Sequence, residues 1–489
     1  MRTLRWTFLA IVVLLGIGWL LQRLQQPGVA RGSALVLRLD GELREAPDAP
    51  LLAQLLGMHQ RSFVGVLSEL RKAERDERLG HVVLEIGDLR IGWAKAQELR
   101  DAIHDLRAAG RRPVALLGVG GFGANLEYYV ASAAEQVWLQ PGSGPPLLGL
   151  AEEHLFLGGL WERYGVAMSV GKAGVYKGAA EQIAGVEMSE AYREQAESLL
   201  DSVDGQFVAG IAAARGLEEA AVRAALAAAS SDPAALAAAG LVDGAATRAE
   251  LLAKLGDPEV VKGEDYAAVD ARAVGFDPVT TFALVYASGA VVAGEGRTTR
   301  TGEPVASADT VVEALEQAVE DDAVKAIVLR VDSPGGGSFP SELIWRAVRK
   351  ARESKPVVAS FSDYAASGGY YLGSGADAVV AQPATITGSI GVFAVRPALG
   401  GFFERFGVHT ATLQRAPHAE LNLATPPLSE DTAAWLDREV QTVYQLFLRR
   451  VAEGRGLEPG AVDAMAQGRV WTGRQAHGLP RLWAWLPLR

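Results

Sequence analysis

The sequence predicts an α/β protein built as a tandem duplication and preceded by a transmembrane helix. Three observations carry that expectation: a long and half-apolar chain, two matching segments 242 residues apart, and an apolar run behind two N-terminal arginines. At 489 residues the chain exceeds what one hydrophobic core ordinarily fills, so two or more domains are expected. Apolar residues make up 49%, and the 55 glycines and 22 prolines are dispersed, a composition of packed domains with little long disorder. A formal net charge of -11 and the lack of any arginine-rich stripe argue against a nucleic-acid partner.

Arg2 and Arg5 precede a mainly apolar run from Trp6 to Leu21, after which Gln22, Arg23, Gln25 and Gln26 restore polarity. A helix over this run spans about 24 Å, short of the roughly 30 Å hydrocarbon core, but Trp6 and Trp19 suit the interfaces and the arginines can snorkel. The competing reading is a cleaved signal peptide. No small-x-small site follows the run directly, so residues 1–27 are assigned to an uncleaved anchor. Positive charge ahead of the run places the N-terminus inside and the body across the membrane, and zero cysteines fit that oxidising side.

The duplication rests first on Tyr128–Pro141 (YYVASAAEQVWLQP) and Tyr370–Pro383 (YYLGSGADAVVAQP), identical at seven of fourteen positions. Upstream, Val82–Ile86 matches Ile327–Val331 as a buried strand, and each is followed by a helical stretch and a second strand, Pro113–Leu117 and Pro356–Ser360. Further on, Gly240-Leu-Val-Asp243 stands where Gly478-Leu479 stands in the second copy. The expected repeats are residues 34–255 and 278–489, with a new strand, Thr281–Ala287, opening the second.

Chemistry enters where the copies differ. Phe122-Gly-Ala-Asn125-Leu-Glu127 aligns with Tyr364-Ala-Ala-Ser367-Gly-Gly369, so only the second copy has a hydroxyl there. The second copy also has Asp332-Ser-Pro-Gly-Gly-Gly337 after its first strand, against Gly87-Asp-Leu-Arg-Ile-Gly92 in the first. Consecutive glycines let backbone amides approach and point at an anion. Conversely, Val175-Tyr-Lys177-Gly-Ala179 has no lysine counterpart around Pro417 and His418. Each half holds what the other lacks, which points to a composite site with Ser367 as nucleophile and Lys177 as general base. A serine hydroxyl is a weak nucleophile until a neighbouring base takes its proton. A lysine can serve once burial lowers its pKa, and no carboxylate follows Lys177 before Glu181, whereas Lys172 reads as a solvated lysine. Ser389, in Thr387-Gly-Ser-Ile-Gly391, is a partner for orienting the neutral amine. The amides of Gly336 and Gly368 are candidate oxyanion donors.

These four segments, YKGA at Lys177, DSPGGG at 332–337, DYAASGGYY around Ser367 and TGSIGV ending at Val392, resemble the signal peptide peptidase A or protease IV family in its long two-repeat form. The resemblance spans nearly the whole chain after the anchor. It implies tandem β-β-α superhelical domains of the crotonase and ATP-dependent caseinolytic protease (ClpP-like) type and a bowl-shaped homotetramer. It further implies digestion of signal peptides in the bacterial cytoplasmic (inner) membrane, by a single-pass protein whose catalytic body is extracytoplasmic. In that family a lysine base, a serine nucleophile and a second serine 22 positions on correspond to Lys177, Ser367 and Ser389. The family's usual glycine-leucine-valine-aspartate turn after Val470-Trp-Thr-Gly473 is replaced by Leu479-Pro-Arg-Leu-Trp-Ala-Trp-Leu-Pro-Leu-Arg489, a departure that bears on assembly.

Gly118-Val-Gly-Gly-Phe-Gly123 spells a dinucleotide-binding pattern, but its duplicate, Ser360-Phe-Ser-Asp-Tyr-Ala365, marks it as a drifted nucleophile turn. The seven histidines lack ligand spacing, and no phosphate-binding loop occurs, so neither metal nor cofactor is expected. Two other functions compete with the peptidase: a crotonase-type acyl-CoA enzyme using the glycine amides for an enolate, and a catalytically silent scaffold.

Overall fold

The apolar runs ending at Ile86 and Val331 become central strands of two sheets, each paired with parallel neighbours on both sides. The structure, a computed structural model, describes residues 28–46, 61–121, 123–299 and 301–479. The expected anchor and residues 480–489 of the atypical tail lie outside them, and among the described residues no helix is long and apolar enough to cross a membrane.

One compact unit comprises the residues up to Arg90, Leu99–Gly149 and Gly210–Val279. Its six strands are all parallel, in the order Gly244–Ala245, Gln136–Leu139, Pro113–Leu117, Leu79–Arg90, Ser33–Glu42, Val260–Lys262. Parallel sheets are covered on both faces, and their strands therefore read as continuous apolar runs rather than alternating ones. Val36, Val83, Val114 and Leu116 accordingly bury together with Ala246 and Leu251. The helix Phe63–Arg75 starts where the Ser62 side chain accepts a hydrogen bond from the Gly65 amide.

The other unit comprises Ile91–Glu98, Leu150–Ala209 and the chain from Thr280 onward. Its sheet runs Val470–Thr472, Ile386–Gly388, Val357–Ala366, Val324–Ser333, Thr281–Ser288, parallel except where Val470–Thr472 pairs antiparallel with Ile386–Gly388. Val357–Ala366 also pairs with Ala378–Ala381. A separate antiparallel ribbon joins Ala167–Ala173 to Val392–Ala398, in register from Ala173 with Val392 to Ala167 with Ala398. The long helix Glu430–Arg455 is capped by Ser429 at its start and by left-handed Gly456 at its end, and it packs Val440, Tyr444, Phe447, Leu448 and Val451 into this unit's core.

The second copy's strands extend past their expected ends, Ile327–Val331 to Val324–Ser333 and Pro356–Ser360 to Val357–Ala366. The added residues include Asp332, Ser362 and Asp363, whose polarity hid them from a hydropathy reading. Their side chains are accommodated by internal hydrogen bonds and ion pairs rather than by solvent.

Candidate active site

Ser367 stands on the sharp turn between Val357–Ala366 and the helix Gly368–Gly373. Its backbone has φ 51° and ψ -118°, an uncommon conformation for a residue with a side chain. Such a strand-turn-helix elbow presents the hydroxyl at the end of the sheet. The turn is held by Ser367 N donating to Gly388 O at 2.9 Å and by Tyr371 N donating to Ser367 O at 2.9 Å. Small neighbours are a steric requirement. A Cβ on Gly335, whose φ is +110°, would stand 2.7 Å from the Ser367 Cβ and 2.8 Å from the Gly368 nitrogen.

Lys177 reaches the same place by the ribbon. Ala173 pairs with Val392, so the turn that follows Ala173 and the turn that precedes Val392 emerge side by side, one carrying Lys177 and the other Ser389. Residues 467–469 strap these turns together: Tyr176 N donates to Gln467 O (2.8 Å), Gly468 N to Ile390 O (2.9 Å) and Ser389 N to Arg469 O (2.7 Å). The Arg469 side chain pairs with Glu194 at 2.7 Å and its guanidinium lies 4.7 Å and 4.6 Å from the ring centres of Tyr176 and Trp471.

The structure therefore brings together all three predicted side chains, within a single compact unit. Lys177 Nζ lies 2.9 Å from Ser367 Oγ, 2.9 Å from Ser389 Oγ and 2.8 Å from the Ser389 carbonyl oxygen. The lysine is 4% exposed, and burial lowers its pKa to about 7. The nearby carboxylate, Glu181, is taken by Lys172 at 3.0 Å. Lys172 is thus half-buried and ion-paired rather than solvated. Among the described residues, desolvation acts on the Lys177 ammonium with no opposing charge beside it.

The hydrogen bonds close in both protonation states. A neutral amine has two N–H groups, for Ser389 O and Ser389 Oγ, and one lone pair to accept the Ser367 O–H. After proton transfer, the ammonium donates to all three oxygens without any group moving.

Gly336 and Gly368 lie close together beside Ser367. A Cβ on Gly368 would fall 3.0 Å from the Gly336 nitrogen and 2.6 Å from Ser341 Oγ. Among the described residues neither amide donates a hydrogen bond, whereas the adjoining Gly337 amide donates to Val291 O at 2.9 Å.

In the other unit, Asn125 begins the helix Asn125–Ala131 after the strand Pro113–Leu117. Its side-chain oxygen accepts from the Leu148 and Gly149 amides at 2.9 and 3.1 Å, and its Nδ2 donates to Gly149 O at 2.8 Å. An amide side chain fully engaged with backbone has no nucleophilic role.

Sequence reasoning missed the strap at 467–469, and it took Gly335 as part of an amide-presenting loop without the close approach to Ser367 that it permits. The strap gave no signal because it sets no chemistry-bearing side chain against Lys177: Gly468 acts through the absence of one.

Comparison with known proteins gives a consistent picture. The model of peptidase family S49 matches residues 109–262 and 349–479. The Arabidopsis thaliana protein named "Serine protease SPPA, chloroplastic" is 31% identical over 462 residues, covering 92% of this chain and 66% of that protein. "Protease 4" of Salmonella typhi is 29% identical, covering 96% of this chain and 79% of that protein. "Protease 4" of Haemophilus influenzae is also 29% identical, covering 91% and 75%.

Proposed function

We propose that this chain, which belongs to peptidase family S49 and is a serine peptidase, cleaves peptide bonds with Ser367 as nucleophile and Lys177 as general base. The observation that carries the reading is the 2.9 Å contact between Ser367 Oγ and a buried amine whose pKa lies near neutrality. In acylation, Lys177 takes the Ser367 proton as Oγ attacks the scissile carbonyl carbon, and the tetrahedral oxyanion is received by the Gly336 and Gly368 amides. Collapse expels the amine, which takes the proton back from the Lys177 ammonium, leaving an acyl-serine. Water then repeats the sequence and releases the acid. An oxyanion-hole donor is typically worth about 3 kcal/mol of barrier. An acyl-CoA enzyme or a silent scaffold would leave the Lys177 to Ser367 contact without a role.

The substrates proposed are cleaved signal peptides and other apolar segments in extended form. The body belongs to an inner-membrane protein anchored by residues 1–27, facing the extracytoplasmic side, and assembled as a homotetramer. The apolar run behind Arg2 and Arg5 supports the anchor. The fold is read as a tandem crotonase and ClpP-like duplication over residues 34–255 and 278–489. The recurrence of a parallel strand, a turn and a short helix at Asn125 and at Ser367 supports that reading.

A fluorophosphonate probe tests the nucleophile. The adduct is expected on Ser367 and absent from Ser367→Ala, and an adduct elsewhere with cleavage retained in Ser367→Ala rejects the assignment. Ser389→Ala removes one of the two hydrogen bonds that orient the neutral amine. It is expected to lower kcat by about tenfold to a hundredfold in a peptide-cleavage assay, because Ser389 O still holds the amine.

A further inference from the structure

We propose that Lys95 is a positioning residue that sets the distance between the nucleophile and the oxyanion-binding loop, by clamping the two carboxylates that lie four residues before each of them. Asp332 precedes Gly336 by four residues, and Asp363 precedes Ser367 by four. Lys95 Nζ lies 2.7 Å from Asp332 Oδ2 and 3.6 Å from Asp363 Oδ2.

The strands that carry these residues are irregular at this point. Val331 pairs with Phe361, but the next pair is Ser333 with Ala365, so one residue, Asp332, faces three: Ser362, Asp363 and Tyr364. Bulges beside active sites re-aim the chain that follows, and this one lies directly before both the glycine loop and the Ser367 elbow. Side chains hold it closed. Asp332 Oδ1 accepts from the Tyr364 amide at 3.1 Å, across the bulge. Asp363 Oδ1 accepts from the Lys95 amide at 2.9 Å and its Oδ2 from the Gly92 amide at 2.8 Å. All four carboxylate oxygens are thus engaged. Gly92 must lack a side chain, because a Cβ there would overlap the Asp363 carboxylate. Two residues before Asp332 on the same strand, Arg330 pairs with Glu98 at 2.8 Å and donates to Ser360 and Ser362, which fastens the same segment, Ile91–Glu98, to the same pair of strands.

The cluster sits where charge is costly. Lys95 and Asp363 are buried, and burial pushes the Asp363 pKa up. The Lys95 ammonium lies between the two carboxylate groups and binds both; without it two acceptors are left side by side with no donor between them, and the bulge they close is pushed open. Opening would separate Ser367 from the Gly336 amide without touching the substrate, so the cost should fall on kcat.

The proposal rests on the reading of Ser367 and Gly336 given above. The experiment uses the full chain, with peptide-cleavage kinetics for Lys95→Met, Asp332→Asn and the double variant, beside Lys177→Ala. Lys95→Met keeps the apolar stem. It is expected to lower kcat by about tenfold to a hundredfold while KM stays within about twofold, the signature of misplaced reacting groups. Adding Asp332→Asn, which removes one of the two opposed charges, is expected to restore kcat at least severalfold. A role in packing alone predicts the opposite, since a second substitution would deepen the loss. Wild-type kcat in Lys95→Met, or a double variant slower than either single one, overturns the clamp. If Lys95→Met fails to fold by circular dichroism, Asp332→Asn alone decides: a reduced kcat at unchanged KM sustains the clamp and a wild-type kcat rejects it. An active Lys177→Ala would instead sink the underlying dyad, so the two failures are distinguishable.

Discussion

Lys177→Met is expected to lower kcat by about four orders of magnitude or more while leaving the fold intact. Methionine occupies a similar volume, and the lysine stem is already buried without a carboxylate partner. Exchanging a buried amine for a thioether removes a desolvation cost but also the donor to the Ser389 carbonyl and hydroxyl, and with these opposed, stability should stay within about 2 kcal/mol of the wild type. What disappears is the proton acceptor 2.9 Å from Ser367 Oγ. The proposed dyad acts as one unit, so Ser367→Ala combined with Lys177→Met should be scarcely slower than either alone. Steady-state cleavage of a peptide substrate with parallel thermal melts checks both parts. Additive losses would mean that the two residues act independently.

The second large effect is expected at a residue with no chemistry of its own. In Gly468→Ala, the added Cβ would stand 2.7 Å from the Lys177 nitrogen and 2.8 Å from the Lys177 Cβ, on a backbone with φ +75°. The strap cannot retreat, because its neighbours are tied to Tyr176, Ile390 and Ser389 by hydrogen bonds of 2.8, 2.9 and 2.7 Å. Lys177 must move instead, and displacing a reacting group by about 1 Å costs roughly a hundredfold in rate. A stability loss of about 1–3 kcal/mol should accompany it. Gly456→Ala is the matched control. Its φ is +66°, at the end of the helix Glu430–Arg455, but a Cβ there meets nothing within 4 Å. It should cost about 1–2 kcal/mol of stability and leave kcat unchanged, isolating the clash from the backbone strain.

What could be read in advance was a set of residues that the two matching segments do not share, and the structure places three of them within hydrogen-bonding distance. Ser367 against Asn125, and Lys177 against the lysine-free stretch at Pro417 and His418, are differences between otherwise similar segments, and a difference is legible without coordinates. Ser389 was accessible by its glycine-flanked turn. The supporting parts were not. Gly468 and Gly335 matter through the space they leave, and one sequence cannot say which of 55 glycines face a neighbour's backbone. Lys95 looks like an ordinary surface charge along the chain, and Asp332 and Asp363, although they open the DSPGGG and DYAASGGYY segments, give no sign of their partner, because the pairing runs across 237 and 268 residues. The expected repeat boundaries follow sequence similarity, whereas compactness follows contacts. By contacts, Leu150–Ala209, which carries Lys177, groups with the chain from Thr280 onward. The ribbon between Ala167–Ala173 and Val392–Ala398 accounts for this, and its apolar-to-polar pattern does not name its partner.

In the proposed dyad a neutral Lys177 accepts the Ser367 proton, so the reactive fraction should fall as pH drops below the amine's pKa of about 7, by tenfold per pH unit once well below it. The rate at which a fluorophosphonate acylates Ser367, followed from pH 5 to 9 in the wild type and in Lys177→Met, reads that proton directly. The wild-type rate should rise through a midpoint near 7 to a plateau, and the variant should be slower by at least about a thousandfold with no such rise. A variant acylated as fast as the wild type, or a wild-type profile flat across neutrality, would contradict the assignment of Lys177 as the base.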